Sequence, residues 1–240
     1  MRFPLNRKAR KETRGYFGFT IGQQIWHFMN RRLKKISSKL LRMFGLKPSY
    51  QIGRAFSLED RWRLISSCLA PGDRSALDIG CNLGVFTALL AQQGIFAVGV
   101  DVGTSAIQQA VKLNAGRPNL VFGVAALSPD NVDLLPPFDI TLCLSVSHYW
   151  HRAYGEEPCW KMIQTLIVRS RSFIIEIASI RQKYGTLPPE IIDNDEESVK
   201  TYFMFRLNEA AGPGRAVRFL GKAKSLGREQ FRYMFVVEKF

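Results

Sequence analysis

The sequence predicts an α/β protein with a Rossmann-like, mostly parallel sheet that ends in a C-terminal antiparallel hairpin. Three observations support this fold class. Short apolar runs alternate with helical segments between about residues 75 and 178. The first run leads into a glycine-containing turn, which is typical of a ligand-binding connection between a strand and a helix. Two strand-like runs then flank Gly227, which predicts a hairpin.

The alternating segments predict five strands and the helices that join them. Strands that are apolar on both sides and separated by helices form buried parallel sheets with right-handed crossovers. The five strands are predicted at Ser75–Ile79, Phe96–Val100, Asn119–Val124, Phe138–Val146 and Ser172–Ala178. The predicted helices are Leu58–Cys68, Val85–Gln92, Thr104–Leu113 and Glu157–Val168, and the hairpin pairs Ala216–Lys224 with Phe231–Glu238.

The first 50 residues differ from the rest of the chain in charge. They hold thirteen Lys and Arg against one acid, Glu12, so residues 51–240 carry only +2 of the total charge of +14. From about Gly22 to Phe44, apolar residues recur at spacings of three and four among basic ones. This pattern predicts a basic amphipathic helix within an N-terminal extension of residues 1–50, followed by a globular domain of residues 51–240.

Three roles stay open for this extension. A basic amphipathic helix can lie on an anionic membrane surface. The same charges can bind the phosphates of RNA. The helix can also pack on its own domain, with its Lys and Arg side chains in solvent.

Several classes of protein are disfavoured by what the sequence lacks. Without an apolar stretch of about 18 residues, a transmembrane helix is not expected. Met1–Arg14 leads into no apolar segment, so it does not resemble a secretory signal. The four cysteines show no CxxC spacing, so neither a metal site nor a disulfide framework is expected. We expect a cytoplasmic location, with peripheral membrane attachment as the alternative.

The strongest local signal is the segment Asp78–Gly84, which follows the first predicted strand. Gly80 allows a sharp backbone turn, and Gly84 removes a side chain where the next helix begins. Asn82 stands where many such loops have glycine, and Asn tolerates left-handed geometry better than most residues. Asp101 ends the next strand, where its carboxylate can accept the two ribose hydroxyls of a nucleoside.

Two kinds of nucleoside ligand fit such a loop. A dinucleotide site would need glycines at positions 82 and 85, which here are Asn82 and Val85. A pyrophosphate would also be repelled by Asp78, whereas the ammonium and sulfonium of S-adenosylmethionine suit a carboxylate. The sequence therefore favours S-adenosylmethionine over NAD.

Over about residues 60–180 the sequence resembles the class I S-adenosylmethionine-dependent methyltransferases. By this resemblance, Asp78, Gly80 and Gly84 match the first motif of the family and Asp101 matches its ribose-binding acid. The hairpin matches the final antiparallel strands of the family. The acid that often contacts adenine after the third strand has no clear counterpart in Val124–Ser128, so the adenine contact is unassigned. The predicted cofactor-binding residues are Asp78, Gly80, Asn82, Gly84, Asp101 and Ser145.

A second group of candidate residues follows the fourth predicted strand, in a segment that we expect to be a loop. His148 and His151 are candidate bases, because histidine moves protons at neutral pH. Tyr149 and Trp150 are candidates to stack on the acceptor. The alternative is a structural role, in which these side chains only pack beneath the loop. The run from Leu142 to Glu157 also resembles the bicoid-interacting-type RNA methyltransferases, which methylate RNA 5′-phosphates.

The sequence thus predicts an S-adenosylmethionine-dependent methyltransferase acting on an oxygen or nitrogen acceptor. The acceptor class is open among an RNA 5′-phosphate, a lipid-linked substrate and a small molecule. The alternatives are a non-catalytic protein that keeps the fold and binds membrane or RNA, and, less favoured, an NAD-dependent enzyme. Residues 179–213 are predicted to form part of the acceptor pocket.

Overall fold

A seven-stranded sheet organises the computed structural model, which describes residues 58–178, 191–192, 195–224 and 231–240. The strand order is β3-β2-β1-β4-β5-β7-β6. The strands are β1 (Ser75–Ile79), β2 (Phe96–Asp101), β3 (Leu120–Val124), β4 (Phe138–Leu144), β5 (Ser170–Ala178), β6 (Arg215–Lys224) and β7 (Phe231–Lys239). The helices are α1 (Leu58–Ser66), α2 (Val85–Gln92), α3 (Thr104–Leu113), α4 (Ser147–Tyr154), α5 (Glu156–Val168) and α6 (Glu196–Ala211), with a 3-10 turn at Val132–Leu134.

Strands β1 to β5 are parallel, and β7 runs antiparallel to both β5 and β6. This arrangement confirms the predicted mostly parallel sheet with a C-terminal antiparallel hairpin. The order reverses between β1 and β4, and the ligand crevice of an open α/β sheet lies at such a point, outside the carboxyl ends of the strands. The loop after β1 is therefore at the position where this architecture binds ligands.

Helices cover both faces of the sheet, and each face has its own apolar core. One core joins β1, β4, β5 and β7 to α4, α5 and α6, and includes Phe173, Phe203 and Phe235. The other packs α1 and α2 on the opposite face, and includes Ile65, Leu90 and Ile174. The strands of the sheet interior are apolar on both sides because both faces are covered, which explains their continuous apolar runs.

Two helices differ from the sequence prediction. The segment after β4, predicted as a loop, forms α4, and β4 ends at Leu144 instead of Val146. The second helix, α6, lies within residues 179–213, for which no helix was predicted. Its signals are present in the sequence, because Asp195 caps its N-terminus and buried residues recur at Val199, Phe203 and Leu207.

Some predictions lie outside the described residues. These are the amphipathic helix at Gly22–Phe44, the whole extension of residues 1–50, and most of the predicted acceptor segment before α6. Within the described part of the chain, the helices are all too short or too polar to cross a membrane.

Candidate functional site

The loop between β1 and α2 is held against the end of β2 by backbone hydrogen bonds. Gly80 and Cys81 both donate their N–H to the Val100 carbonyl, at 2.8 and 3.0 Å. Asp101 then anchors the loop from the side, because its Oδ2 accepts the Asn82 N–H at 2.9 Å and its Oδ1 accepts the Gly103 N–H at 2.8 Å. The structure thus brings the predicted loop and the predicted ribose-binding carboxylate together.

Three residues of this loop have left-handed backbone geometry, namely Gly80 (φ 71°), Asn82 (φ 51°) and Gly84 (φ 71°). A Cβ at position 80 would lie 2.5 Å from Val146 Cγ2, and one at position 84 would lie 2.2 Å from a carbon of the Phe122 ring. Both glycines are therefore required by close packing as well as by φ. Asn82 adopts the geometry for which asparagine is the usual substitute.

Asp78 lies beneath the loop and is 2% exposed. Its Oδ2 accepts a hydrogen bond from the Thr87 hydroxyl of α2 at 2.7 Å. Burial raises the pKa of Asp78 to about 6, against the opposing effects of the Thr87 hydrogen bonds and of the Arg61 charge. The carboxylate thus titrates close to neutral pH, and it ties the strand before the loop to the helix after it.

Ser145 lies just after β4 and is 4% exposed, with a left-handed backbone (φ 60°). Its hydroxyl donates to the Glu176 carboxylate of β5 and accepts from Arg232 Nη1 of β7 at 2.7 Å. Arg61 of α1 also reaches Glu176, with Nε 2.5 Å from Oε2. The sequence analysis did not predict Arg61, Glu176 or Arg232, although Glu176 is the lone acid of β5 and lies between isoleucines.

The four candidates on α4 fall into two groups. His148, Trp150 and His151 are buried, and Trp150 belongs to an apolar core. Tyr149 is 61% exposed, and the centroid of its ring lies 4.2 Å from the centroid of the His148 ring. His151 and Ser147 line a small cavity against Trp160 of α5 and Tyr202 of α6. On this helix, Tyr149 is therefore the aromatic candidate that faces solvent.

The buried thiols differ from the reactive cysteines of enzymes. Burial raises the pKa of Cys81 and Cys143 far above the ordinary value, and it raises that of Cys159 to about 12. Thiols that stay protonated are poor nucleophiles and poor metal ligands. Within the described residues, no group of three or more His, Cys, Asp and Glu side chains is placed to hold a metal ion.

The fold, with its glycine-containing β1–α2 loop beside Asp101, has the architecture that the sequence analysis expects of a methyltransferase. Comparison with known proteins finds similarity to methyltransferases. Residues 77–166 match a family described as a methyltransferase domain. A relative from Paracidovorax citrulli (strain AAC00-1), the ubiquinone biosynthesis O-methyltransferase, is 23% identical over 126 residues. That match spans 48% of this chain and 53% of the relative, so the chain covers about half the length of this curated relative.

Solved structures share the fold at low sequence identity. The N-terminal domain of EvdMO1 with bound SAH is 16% identical, with a TM-score of 0.56, and the match covers 89% of this chain and 97% of that one. Magnesium protoporphyrin IX methyltransferase from Synechocystis PCC 6803 with bound SAM is 17% identical, with a TM-score of 0.54, covering 94% and 100%. WbdD is 20% identical, with a TM-score of 0.57, covering 95% and 45%.

Proposed function

We propose that this protein binds S-adenosylmethionine at the β1–α2 loop and transfers its methyl group to an oxygen or nitrogen acceptor. The observation that carries the proposal is the joint geometry of the loop and Asp101, at the carboxyl edge of the sheet. The matched methyltransferase family and the SAM-bound and SAH-bound structural neighbours support it.

Asp101 is the proposed ribose ligand. Each of its carboxylate oxygens accepts one backbone N–H, and a carboxylate oxygen has a second lone pair for a ribose hydroxyl. The neighbouring Val102 side chain is 70% exposed and offers an apolar surface for the adenine ring. Hydrogen bonds to Val100 and Asp101 also set the backbone conformation of the loop without a ligand.

Asp78 is the proposed electrostatic partner of the cofactor's positive charges. Its carboxylate lies beneath the loop, so it acts on the ligand through its charge in a poorly solvated place. The Asp78 carboxylate would repel a pyrophosphate, whereas Asp101 suits the ribose of either kind of cofactor. This arrangement, together with Asn82 and Val85 in place of glycines, supports S-adenosylmethionine over a dinucleotide.

The catalytic contribution proposed for the domain is orientation. Holding an acceptor in line with the sulfonium methyl removes most of the entropic cost of the reaction. His148 and His151 of α4 remain the candidate bases for an acceptor that must lose a proton, and Tyr149 remains the candidate to stack on it. The relative that is an O-methyltransferase supports an oxygen acceptor.

We propose that the acceptor is an RNA, a lipid-linked substrate or a small molecule. The +12 charge of residues 1–50 supports an anionic surface as their partner, either an RNA or a membrane. A cytoplasmic location, or peripheral membrane attachment, goes with this proposal. A radiolabelled methyl-transfer assay on fractionated RNA, lipid and small-molecule extracts would identify the acceptor fraction.

The cofactor site is tested by calorimetric titration of S-adenosylmethionine against the wild-type protein and Asp101→Ala. We expect the variant to bind at least about tenfold more weakly, because hydrogen bonds to a carboxylate contribute about 1.5–3 kcal/mol. Asp139→Ala is the matched control. The Asp139 carboxylate also accepts two backbone N–H groups, from Arg74 and Ser75, but at the opposite edge of the sheet.

Equal affinity of the wild type and Asp101→Ala, or no binding by the wild type, would reject the proposed site. If Asp139→Ala weakens binding as much as Asp101→Ala does, the loss reflects a general disturbance of the sheet. Binding of the cofactor without transfer of its methyl group to any extract fraction would favour the non-catalytic alternative.

A further inference from the structure

Four buried polar side chains, from three elements and from the turn after β4, meet at the carboxyl ends of β4 and β5. Glu176 of β5 is at their centre and is 1% exposed. Its carboxylate forms an ion pair with Arg61 of α1, with Nε 2.5 Å from Oε2, and accepts a hydrogen bond from the Ser145 hydroxyl. It also lies 3.9 Å from Arg232 Nη1 of β7. We refer to Arg61, Ser145, Glu176 and Arg232 as the Glu176 cluster.

We propose that Glu176 is a positioning residue for methyl transfer, because its cluster fixes both sides of the cofactor loop. This inference rests on the proposed function. It assigns a role to Arg61, Glu176 and Arg232, which the sequence analysis did not predict. The two sides of the loop are reached by separate chains of contacts, one through Ser145 and the other through Arg61.

The first chain of contacts runs from Glu176 through Ser145 and Val146 to Gly80. Ser145 has φ 60°, which costs energy for a residue with a side chain. Its N–H donates to the Glu176 carbonyl at 3.2 Å, its hydroxyl donates to the Glu176 carboxylate, and Arg232 donates to its Oγ. The next residue, Val146, packs so closely on Gly80 that a Cβ there would lie 2.5 Å from its Cγ2. The turn held by Glu176 therefore forms one wall of the loop.

The second chain of contacts runs from Glu176 through Arg61 to the residues before and after the loop. The Arg61 guanidinium lies over the Phe86 ring, 4.7 Å from its centroid, and Phe86 belongs to the first turn of α2. Burial raises the pKa of Asp78, the last residue but one of β1, and the Arg61 charge opposes this rise. Glu176 thus holds the guanidinium that lies over Phe86 and whose charge acts on Asp78.

Stability alone is a weak reason for this cluster. Glu176 lies in a strand whose neighbours Ile174, Ile175 and Ile177 are fully buried. Charges at such a place lose their hydration, and apolar replacements of buried ion pairs are often neutral or stabilising. A buried carboxylate that joins α1, β4, β5 and β7 instead specifies where those elements stand around the cofactor loop.

The mildest test removes one hydroxyl and keeps every charge. We expect Ser145→Ala to raise the Kd for S-adenosylmethionine about fivefold or more, because the left-handed turn loses its side-chain hydrogen bonds. Ser170→Ala is the matched control. Ser170 is also buried on the sheet, and its hydroxyl bonds Thr141 and Leu166, but it lies at the amino end of β5. Titrations are done well below the melting temperature of each variant, so that all molecules are folded.

A double-mutant cycle separates positioning from general destabilisation. Ser145→Ala and Glu176→Gln are measured singly and together for S-adenosylmethionine binding. If both act through the same turn, the Kd of the double variant rises less than the product of the two single effects. Two unrelated structural defects would instead multiply. If Glu176→Gln does not fold, the test rests on comparing the Kd for S-adenosylmethionine of Ser145→Ala with that of Ser170→Ala.

The possible outcomes separate this inference from the proposed function. A wild type that binds no S-adenosylmethionine overturns both. A wild type that binds the cofactor, with Ser145→Ala binding equally well, overturns only the positioning role. Ser145→Ala and Ser170→Ala weakening binding equally would also overturn it. Weaker binding by Ser145→Ala alone, with a non-multiplicative double variant, supports it.

Discussion

At the scale of the residue, Asp78 makes the protein sensitive to pH. The unfolded chain releases this proton near the ordinary value of 3.8, whereas the folded protein holds it until about pH 6. Between these values the folded state binds more protons than the unfolded state, so the contribution of Asp78 to stability decreases as pH rises. Above pH 6 the folded protein carries the cost of a buried charge.

We therefore expect Asp78→Asn to be more stable than the wild type at pH 7 in the absence of cofactor, by up to roughly 3 kcal/mol. The difference should diminish as pH falls from 6 to 4, because the folded wild type takes up a proton on Asp78 and no longer holds a buried charge. Urea unfolding of both proteins at several pH values measures it. A constant difference across this range would show that the charge of Asp78 is not its cause.

The same residue predicts the pH dependence of cofactor binding. A cationic ligand favours the ionised carboxylate, so the wild-type affinity for S-adenosylmethionine should increase as pH rises through 6 and then level off. Asp78→Asn should bind more weakly at pH 7 and show little of this increase. The variant thus gains stability and loses affinity, a combination that damage to the fold would not produce.

At the scale of the element, α6 depends on a side-chain cap. Asp195 accepts the Ser198 N–H at 2.7 Å, and the acids Glu196 and Glu197 occupy the first turn. We expect Asp195→Ala to lower the free energy of unfolding by about 1 kcal/mol, and Asp195→Asn to restore most of it. Thr201→Ala, at an exposed position beyond the first turn of the same helix, is the control. Chemical denaturation measures all three, and equal stability of Asp195→Ala and the wild type would contradict the capping role.

The elements also show what the sequence could predict. The interior strands β1, β2, β4, β5 and β7 are mostly apolar, because burial on both faces of the sheet leaves little room for polar residues. Helix α6 was not predicted although its cap and its buried spacing are present, because the acids at its N-terminus give the segment a polar, loop-like composition. The segment after β4 was expected to be a loop, whereas the inward-facing Trp150 and His151 form one side of a short helix.

The candidate site was predictable only in part. Gly80, Asn82, Gly84 and Asp101 lie together because the spacing of a strand, a turn and a strand determines their positions locally. Arg61, Glu176 and Arg232 come from distant parts of the chain, and no local spacing relates them. Their pairing depends on the antiparallel entry of β7 beside β5, which only the three-dimensional structure shows.

At the scale of the whole molecule, cofactor binding should stabilise the domain. A ligand that binds only the folded state at about one hundred times its Kd adds about 2.7 kcal/mol to the free energy of unfolding. We expect S-adenosylmethionine to raise the melting temperature accordingly and reduced nicotinamide cofactor to leave it unchanged. Differential scanning calorimetry measures both ligands. An increase in melting temperature produced by the nicotinamide cofactor and not by S-adenosylmethionine would favour the dinucleotide alternative.

The position of β7 also has a consequence for folding during synthesis. The ribosome makes β6 before β7, yet β7 lies between β5 and β6 in the sheet. Until β7 emerges, the edge of β5 is open and β6 has no neighbour to join it to the sheet. Arg232 belongs to β7, so its contact with Glu176 also forms only after β7 has been synthesised. A nascent chain that stops before Phe231 therefore exposes an aggregation-prone strand edge and lacks the contacts of Arg232 with Ser145 and Glu176.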